Sequence, residues 1–361
     1  MTRLRKVWIA ILISALPSLC NAELFERVGP ATLPYATFSP GAVAQGMGGG
    51  MATAWDTPGG GYWNPARPSG VPAFGGSFSY EEPLLIGSGD WKRRTHAVTG
   101  SVGGLTLSLF RDKWSMEELT IVRTAYNPEG ISQTWEYGYE SHLASLSWDA
   151  FHREHSGSVS VLSVGAGFRR IKTHLNEFSG EADDFDLGVI YLRRFHREGS
   201  VGLQSWGLGV SKSNVRNELL NSDLMTWQAP GAWRAGVRAE WGVAEGTRGT
   251  PLVSAITTLD WQRWRVSRDW LDDPSLAVGV EALLSGIIAL RYGYGDMHGS
   301  TLYKNSSYGI GLRLALAEDQ VVVRADVSLT QEKPFEGAVD SKSLMDNDSL
   351  ETYSLRIEWR P

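Results

Sequence analysis

His152-x-x-His155 has the spacing of two ligands to one metal ion. A zinc site needs a third ligand and outer hydrogen-bond partners, and the sequence offers neither beside this pair. Asp183-Asp184 and Asp272-Asp273 present carboxylates that could meet calcium. Each is only a pair, where roughly six to eight oxygens are wanted, so a solvated rim loop is the simpler reading. Gly46-Met47-Gly48 lacks a glycine at the third following position and has no strand–helix context, which argues against a dinucleotide site. No Gly-x-Ser-x-Gly elbow is present. His96, His142, His174, His196 and His298 are scattered, and spacing alone brings no two together. These residues predict no enzyme, no metal site and no cofactor.

The charges that do follow a pattern are Arg234, Arg238, Glu240, Arg291, Arg313, Arg324, Asp326, Arg356 and Glu358, six Arg to three acids. Each alternates with apolar neighbours, so each belongs on the polar side of a strand. If that side lines a restricted lumen, the charges need partners or water, because an unpaired buried charge costs several kcal/mol. One reading is an ion-pair network that fixes an internal segment. The other is an anion-tolerant path, or a cradle for a carboxylate headgroup, for which Arg offers a two-pronged donor. Ile190 and Leu192 are apolar on the same kind of inner face and could line a pocket or touch that segment.

The elements that position these residues are strands. Trp233, Ala235, Val237, Ala239 and Trp241 share one side, with Arg234, Gly236, Arg238 and Glu240 on the other. Similar alternation recurs near 72–81, 92–103, 105–125, 131–151, 157–175, 181–196, 200–213, 231–244, 250–264, 272–285, 286–296, 303–317, 320–332 and 350–360. Turn signals such as Asn127-Pro128-Glu129-Gly130 and Ser156-Gly157 separate several of these segments. After Gly70 the only helical suggestion is a short piece near Asn217–Leu224, within a gap that reads better as a rim loop.

Composition narrows the class. The chain has 361 residues, and its 38 aromatic residues, 15 of them Trp, exclude a disordered chain. A formal net charge of -6 argues against nucleic-acid binding. The longest mostly apolar stretch, Val7–Leu16, falls short of the ~20 residues of a spanning helix. Thr2–Lys6 is basic, Val7–Leu16 apolar, and Ser18–Ala22 ends in small residues, the order of a secretory signal peptide cleaved after Ala22. Cys20 is the single cysteine, so it is removed with that leader unless it carries a lipid.

Many alternating antiparallel strands fit a soluble sandwich or a membrane barrel. A sandwich would bury the Arg, Asp and Glu side without partners. A closed barrel gives them a lumen, places Trp233, Trp241, Tyr353 and Trp359 toward interfacial girdles, and leaves no open edge in lipid. The expectation is therefore an all-β, transmembrane antiparallel β-barrel of about 14 strands with a short N-terminal plug segment. It divides into a signal peptide at 1–22, a plug at 23–71 and a barrel at 72–361.

The plug carries Gly46-Met47-Gly48-Gly49, then Ala54, Asp56 and Tyr62-Trp63-Asn64-Pro65-Ala66. Its glycines permit close backbone approach, and Pro65 drives Asn64 out of the helical region. Tyr62 and Trp63 offer large surfaces to pack on a wall, which suits a compact insert inside the barrel; taken alone, the segment also reads as a Gly-rich linker. This order of residues resembles the N-terminal signature of the FadL/PorV superfamily of outer-membrane barrels, and most closely its PorV/PorQ-like branch. Ala235-Gly236-Val237, Gly279-Val280-Glu281, Leu290-Arg291-Tyr292-Gly293-Tyr294 and Tyr308-Gly309-Ile310-Gly311-Leu312 are similar to later strands of that family. The resemblance implies a 14-stranded barrel with a plugged lumen, in the outer membrane of a Gram-negative-type cell. It implies partners in outer-membrane lipid and in the barrel-assembly machinery. FadL-like members pass hydrophobic or amphiphilic small molecules. PorV-like members act instead as accessory proteins of type IX secretion, through protein–protein contacts. Barrels of this kind commonly end on an aromatic residue, whereas here Trp359 is followed by Arg360-Pro361.

Overall fold

The structure is a computed structural model. It describes residues 39–69, 74–83, 91–116, 137–175, 178–195, 201–216, 219–221, 226–228, 231–244, 251–265, 274–296, 303–316, 320–334 and 349–359. The leader at 1–22, the Asp272-Asp273 pair, His196, His298 and the Arg360-Pro361 end lie outside the described residues.

The described strands are β1 (Phe74–Pro83), β2 (Trp91–Val102), β3 (Leu105–Met116), β4 (Tyr137–His155), β5 (Ser158–Leu175), β6 (Phe178–Phe195) and β7 (Gly202–Ser213). There follow β8 (Leu219–Asn221), β9 (Thr226–Gln228), β10 (Gly231–Ala244), β11 (Val253–Arg265), β12 (Pro274–Leu284) and β13 (Ile288–Asp296). The chain ends with β14 (Tyr303–Leu316), β15 (Val321–Pro334) and β16 (Ser349–Trp359). Every wall strand is antiparallel to its neighbours. β7 pairs with β10, and β16 returns to β1 over the whole length from Phe74↔Trp359 to Pro83↔Leu350. The result is a closed antiparallel barrel of fourteen strands. β8 and β9 form a small hairpin on the rim, touching β6 at Glu181↔Asn221. The described part of 217–224 is thus strand and not helix. Pairing with a neighbouring strand wins over a weak local helical pattern.

Alternation sorts the side chains between two faces, but the faces differ around the wall. On β10–β16 the outside is apolar and the inside polar. Leu312 and Leu355 are 47% and 45% exposed, while Arg324 and Arg356 point inward. Such a continuous apolar exterior exceeds what a water-soluble monomer presents and matches the lipid-facing belt of a membrane barrel. On β2–β5 the inside is substantially apolar, through Phe110, Trp114, Tyr139, Leu143 and Ile171.

Residues 39–69 lie inside the barrel. They form a short helix, α1 (Ala42–Gly46), and a 3-10 turn at Pro58–Tyr62. Gly41 precedes α1 with φ 90, and its N–H donates to Glu81 Oε1 at 2.7 Å. Trp63 and Tyr62 meet edge to face at 5.4 Å and pack with Phe110 and Leu143 in one buried cluster. Trp55 and Ala66 pack with Ile190 and Leu192 in a second. Of the two expected roles of Ile190 and Leu192, the structure gives the contact with the plug.

Candidate functional site

The plug is seated on a belt of wall glycines. Gly165 pairs directly across strands with Gly188, Gly209 with Gly236, and Gly279 with Gly293. Paired glycines are poor sheet formers, since neither brings a side chain to the pair. Here the missing side chains make room for backbone. A Cβ on Gly188 would stand 2.0 Å from Asn64 Oδ1, and one on Gly293 2.0 Å from Gly48 N. A Cβ on Gly209 would meet Ala52 O, and one on Gly279 would meet Met47 O at 2.7 Å. In the plug itself, Gly48 runs at φ 70 against the backbone of Tyr294, and Gly49 at φ 85.

Asn64 is the plug's chief hydrogen-bonding residue. Its Nδ2 lies within reach of Ala52 O (3.0 Å), Val189 O (3.2 Å) and Val210 O (3.3 Å), while its Oδ1 accepts from Ala66 N. It thereby ties two parts of the plug to each other and to β6 and β7. Pro65, directly after it, sits against Gly165 and Gly188. Ser211 donates to Trp63 O at 2.6 Å and Ser147 to Arg67 O at 2.7 Å. Ala54 lies buried among the plug's own residues and Met47 beside β12.

Charge completes the seat. Arg238 ion-pairs with Asp56 through both guanidinium nitrogens and with Glu240 at 2.6 Å, and stacks on Trp55 at 4.7 Å. Burial pushes the Asp56 carboxyl up. The Arg238 guanidinium, helped by Arg356 and Arg324, outweighs this and holds it far below the usual carboxylate range. Arg291 and Arg324 each reach both Glu281 and Asp326, at 2.5–3.0 Å, forming a closed square of charge. Arg356 lies 2.8 Å from Glu358 and also reaches Asp56 O. Arg234 donates to Ser213 at 3.1 Å. Arg313 stands apart near the rim, facing Gly286 O at 3.4 Å.

The structure therefore gathers eight of the nine pattern charges near the plug. It adds acids that the sequence pattern left out. Glu281 closes the square, Asp260 accepts from Ala52 N at 2.8 Å, and Asp186 holds Arg169 beside Tyr62. On β1–β3, Arg93 joins Asp112 (2.7 Å) and Glu81 (3.3 Å) and stacks on Trp114. The apparent excess of Arg is thus offset by acids. The alternation Leu259-Asp260-Trp261 already marks Asp260 as inward-facing; nothing local says that it meets the plug.

The other candidate chemistry is dispersed. Asp183 faces outward, bound to Arg170, and Asp184 faces inward, so they share no cation. His152 and His155 lie exposed at the end of β4, with His152 3.6 Å from Glu154. No group of three potential metal ligands occurs among the described residues.

No family model matches the chain, and no curated protein matches it. Solved structures similar to it include a Pseudomonas aeruginosa FadL homologue, at 12% identity and TM-score 0.47, covering 89% of this chain and 98% of that one. The Pseudomonas putida toluene transporter TodX is similar at 8% identity and TM-score 0.45, covering 93% and 98%. The CymD monoaromatic hydrocarbon channel is similar at 10% identity and TM-score 0.45, covering 89% and 97%.

Proposed function

We propose that this is an outer-membrane barrel that binds or passes a hydrophobic or amphiphilic small molecule, with the plug as its gate. One observation carries the reading. A cavity of about 50 Å³ lies between plug and wall, lined by Val43, Met51, Pro58, Phe110, Phe78 and Arg356 among others. Back to back with it, on the lipid side, lies an apolar groove of about 680 Å³ over Ile310, Leu312, Val327, Tyr353 and Leu355. Cavity and groove share Phe78 and Ser354, on the β1–β16 seam. The seam is fully paired, and the cavity is far smaller than the roughly 300–1,000 Å³ of a small-molecule pocket. This is a shut conduit. Cargo requires the plug to shift, and Asp56 lies directly before Thr57 and Pro58, which line the cavity. Arg356 at the cavity wall suits the headgroup of an amphiphile.

The Gly46–Ala66 signature supports the same superfamily reading, in its PorV/PorQ-like form. A cavity this small also suits the accessory role, in which a secretion system uses the barrel's surfaces and nothing passes through it. Native mass spectrometry of protein gently extracted from its own outer membrane separates the two. A retained apolar small molecule is the expected result. A ligand-free barrel in stoichiometric complex with another protein would transfer the reading to the accessory role.

A further inference from the structure

The outer wall of β2–β6 carries a lattice of charge where a lipid-facing belt belongs. In one cross-strand row stand His96, Arg111, His142, Arg170 and Asp183. In the next stand Arg94, Lys113, Glu140, Lys172 and Glu181. These side chains face outward and are exposed or half-exposed. Beneath them the adjoining outward row is wholly apolar: Val98, Leu109, Ala144, Phe168 and Phe185. The change from apolar to charged thus falls at one register across five strands.

Three acids do not balance this lattice. Arg111 pairs with Glu140 (2.6 Å), Arg170 with Asp183 (2.7 Å) and Lys172 with Glu181 (2.7 Å). Arg94 and Lys113 face each other across β2 and β3 and make no ion pair among the described residues. Like charges directly opposite are destabilising in a sheet. The belt below is also short. On β3 the outward apolar run is Leu105, Leu107 and Leu109, five residues or about 17 Å of strand. On β14 it runs from Tyr308 to Leu316, nine residues or about 30 Å. Strands tilted by about 35–45° need roughly 30–35 Å of their length to cover an apolar band of about 25 Å, so the lowest charges on β3 reach toward hydrocarbon depth. There a cation needs an anion beside it.

We infer that this wall binds a phosphorylated glycolipid of the lipid A type, phosphates on Arg94, Lys113 and Arg111 and acyl chains along Leu109, Phe168 and Phe185. The lattice lies at the end of the barrel with the longer connections, such as 117–136 and 335–348. In outer-membrane barrels that end faces the cell surface, where the outer leaflet holds the glycolipid. Basic clusters at headgroup level recognise anionic lipid in this manner. The inference is independent of what, if anything, passes the plug.

The test is native mass spectrometry of the full chain in detergent, titrated in turn with lipid A, cardiolipin and phosphatidylethanolamine. The parent is expected to retain lipid A in preference to both phospholipids. The double variant Arg94→Gln/Lys113→Gln should lose about tenfold or more in lipid A affinity. Arg153→Gln, at the opposite end of β4, should lose nothing. Heat-modifiable gel migration checks that each variant is folded, and the single variant Arg94→Gln replaces the double one if that fails. Equal retention of lipid A by parent and variant would overturn the inference, as would a parental preference for cardiolipin.

Discussion

At the scale of single residues, the plug depends on a few polar anchors. Asp56→Asn removes the charge that Arg238 grips and should weaken plug docking by about 2 kcal/mol, discounted because Asp56 is partly exposed. Limited proteolysis within 39–69, faster in the variant than in the parent, reads this directly. The pH dependence has a definite sign. The Asp56 carboxyl is depressed from its ordinary 3.8, so its stabilisation is fully present above that value and fades only as pH falls below it. The Asp56 contribution to plug protection, read as the difference between parent and Asp56→Asn, should therefore be unchanged between pH 7 and pH 5 and shrink only at more acid pH. Asn64→Ala leaves the carbonyls of Ala52, Val189 and Val210 without their shared donor, at a cost of about 1–3 kcal/mol to docking. Hydrogen exchange at Trp63–Ala66 should accelerate while exchange in β6 and β7 stays near parental.

At the scale of elements, the seat is the property that pairing creates. Strand alternation was legible because a one-residue slip turns every side chain to the other face, and Trp233–Trp241 or Val321–Leu329 advertise that period plainly. Arg234, Arg238, Arg324 and Arg356 could be assigned inward for the same reason. The glycine belt could not. Gly165 and Gly188, or Gly209 and Gly236, become partners only once the register between strands is fixed. On β3 both faces are mixed, Phe110 and Trp114 inside and Arg111 and Lys113 outside, so alternation separates the faces without saying which is the lumen. Alternation turns Glu281 and Asp260 inward, but what they bind is not legible because their partners sit on other strands or in the plug. The belt gives its own prediction. Gly293→Val places a side chain where Gly48 N lies and should expel or displace the plug. Its side chain points into the lumen, so wall pairing should survive. Heat-modifiable migration like the parent's, together with protease-sensitive residues 39–69, is the expected outcome.

At the scale of the whole molecule, barrel and plug are two bodies that fill one another. The wall's closure from β1 to β16 satisfies the strand edges, and the plug adds partners for Arg238, Asp260 and Glu81 while the other lumen charges pair within the wall. Deleting 39–69 should thus yield a barrel that still assembles but conducts ions in planar bilayers, where the parent is silent. If cargo moves only when the plug moves, a plug tied covalently to the wall must stop it, and engineered cysteines can make that tie. Gly46 and Gly309 approach so closely that a Cβ on either would stand 3.5 Å from the other's Cα. Cys20, the chain's single cysteine, falls within the expected leader. The variant Gly46→Cys/Gly309→Cys can therefore be locked by oxidant and released by reductant. The measurement is uptake of a hydrophobic fluorescent probe by cells carrying it. Uptake should be blocked under oxidant and restored on reduction, with the parent indifferent to both. Uptake that continues with the plug locked to β14 would rule out the plug as gate.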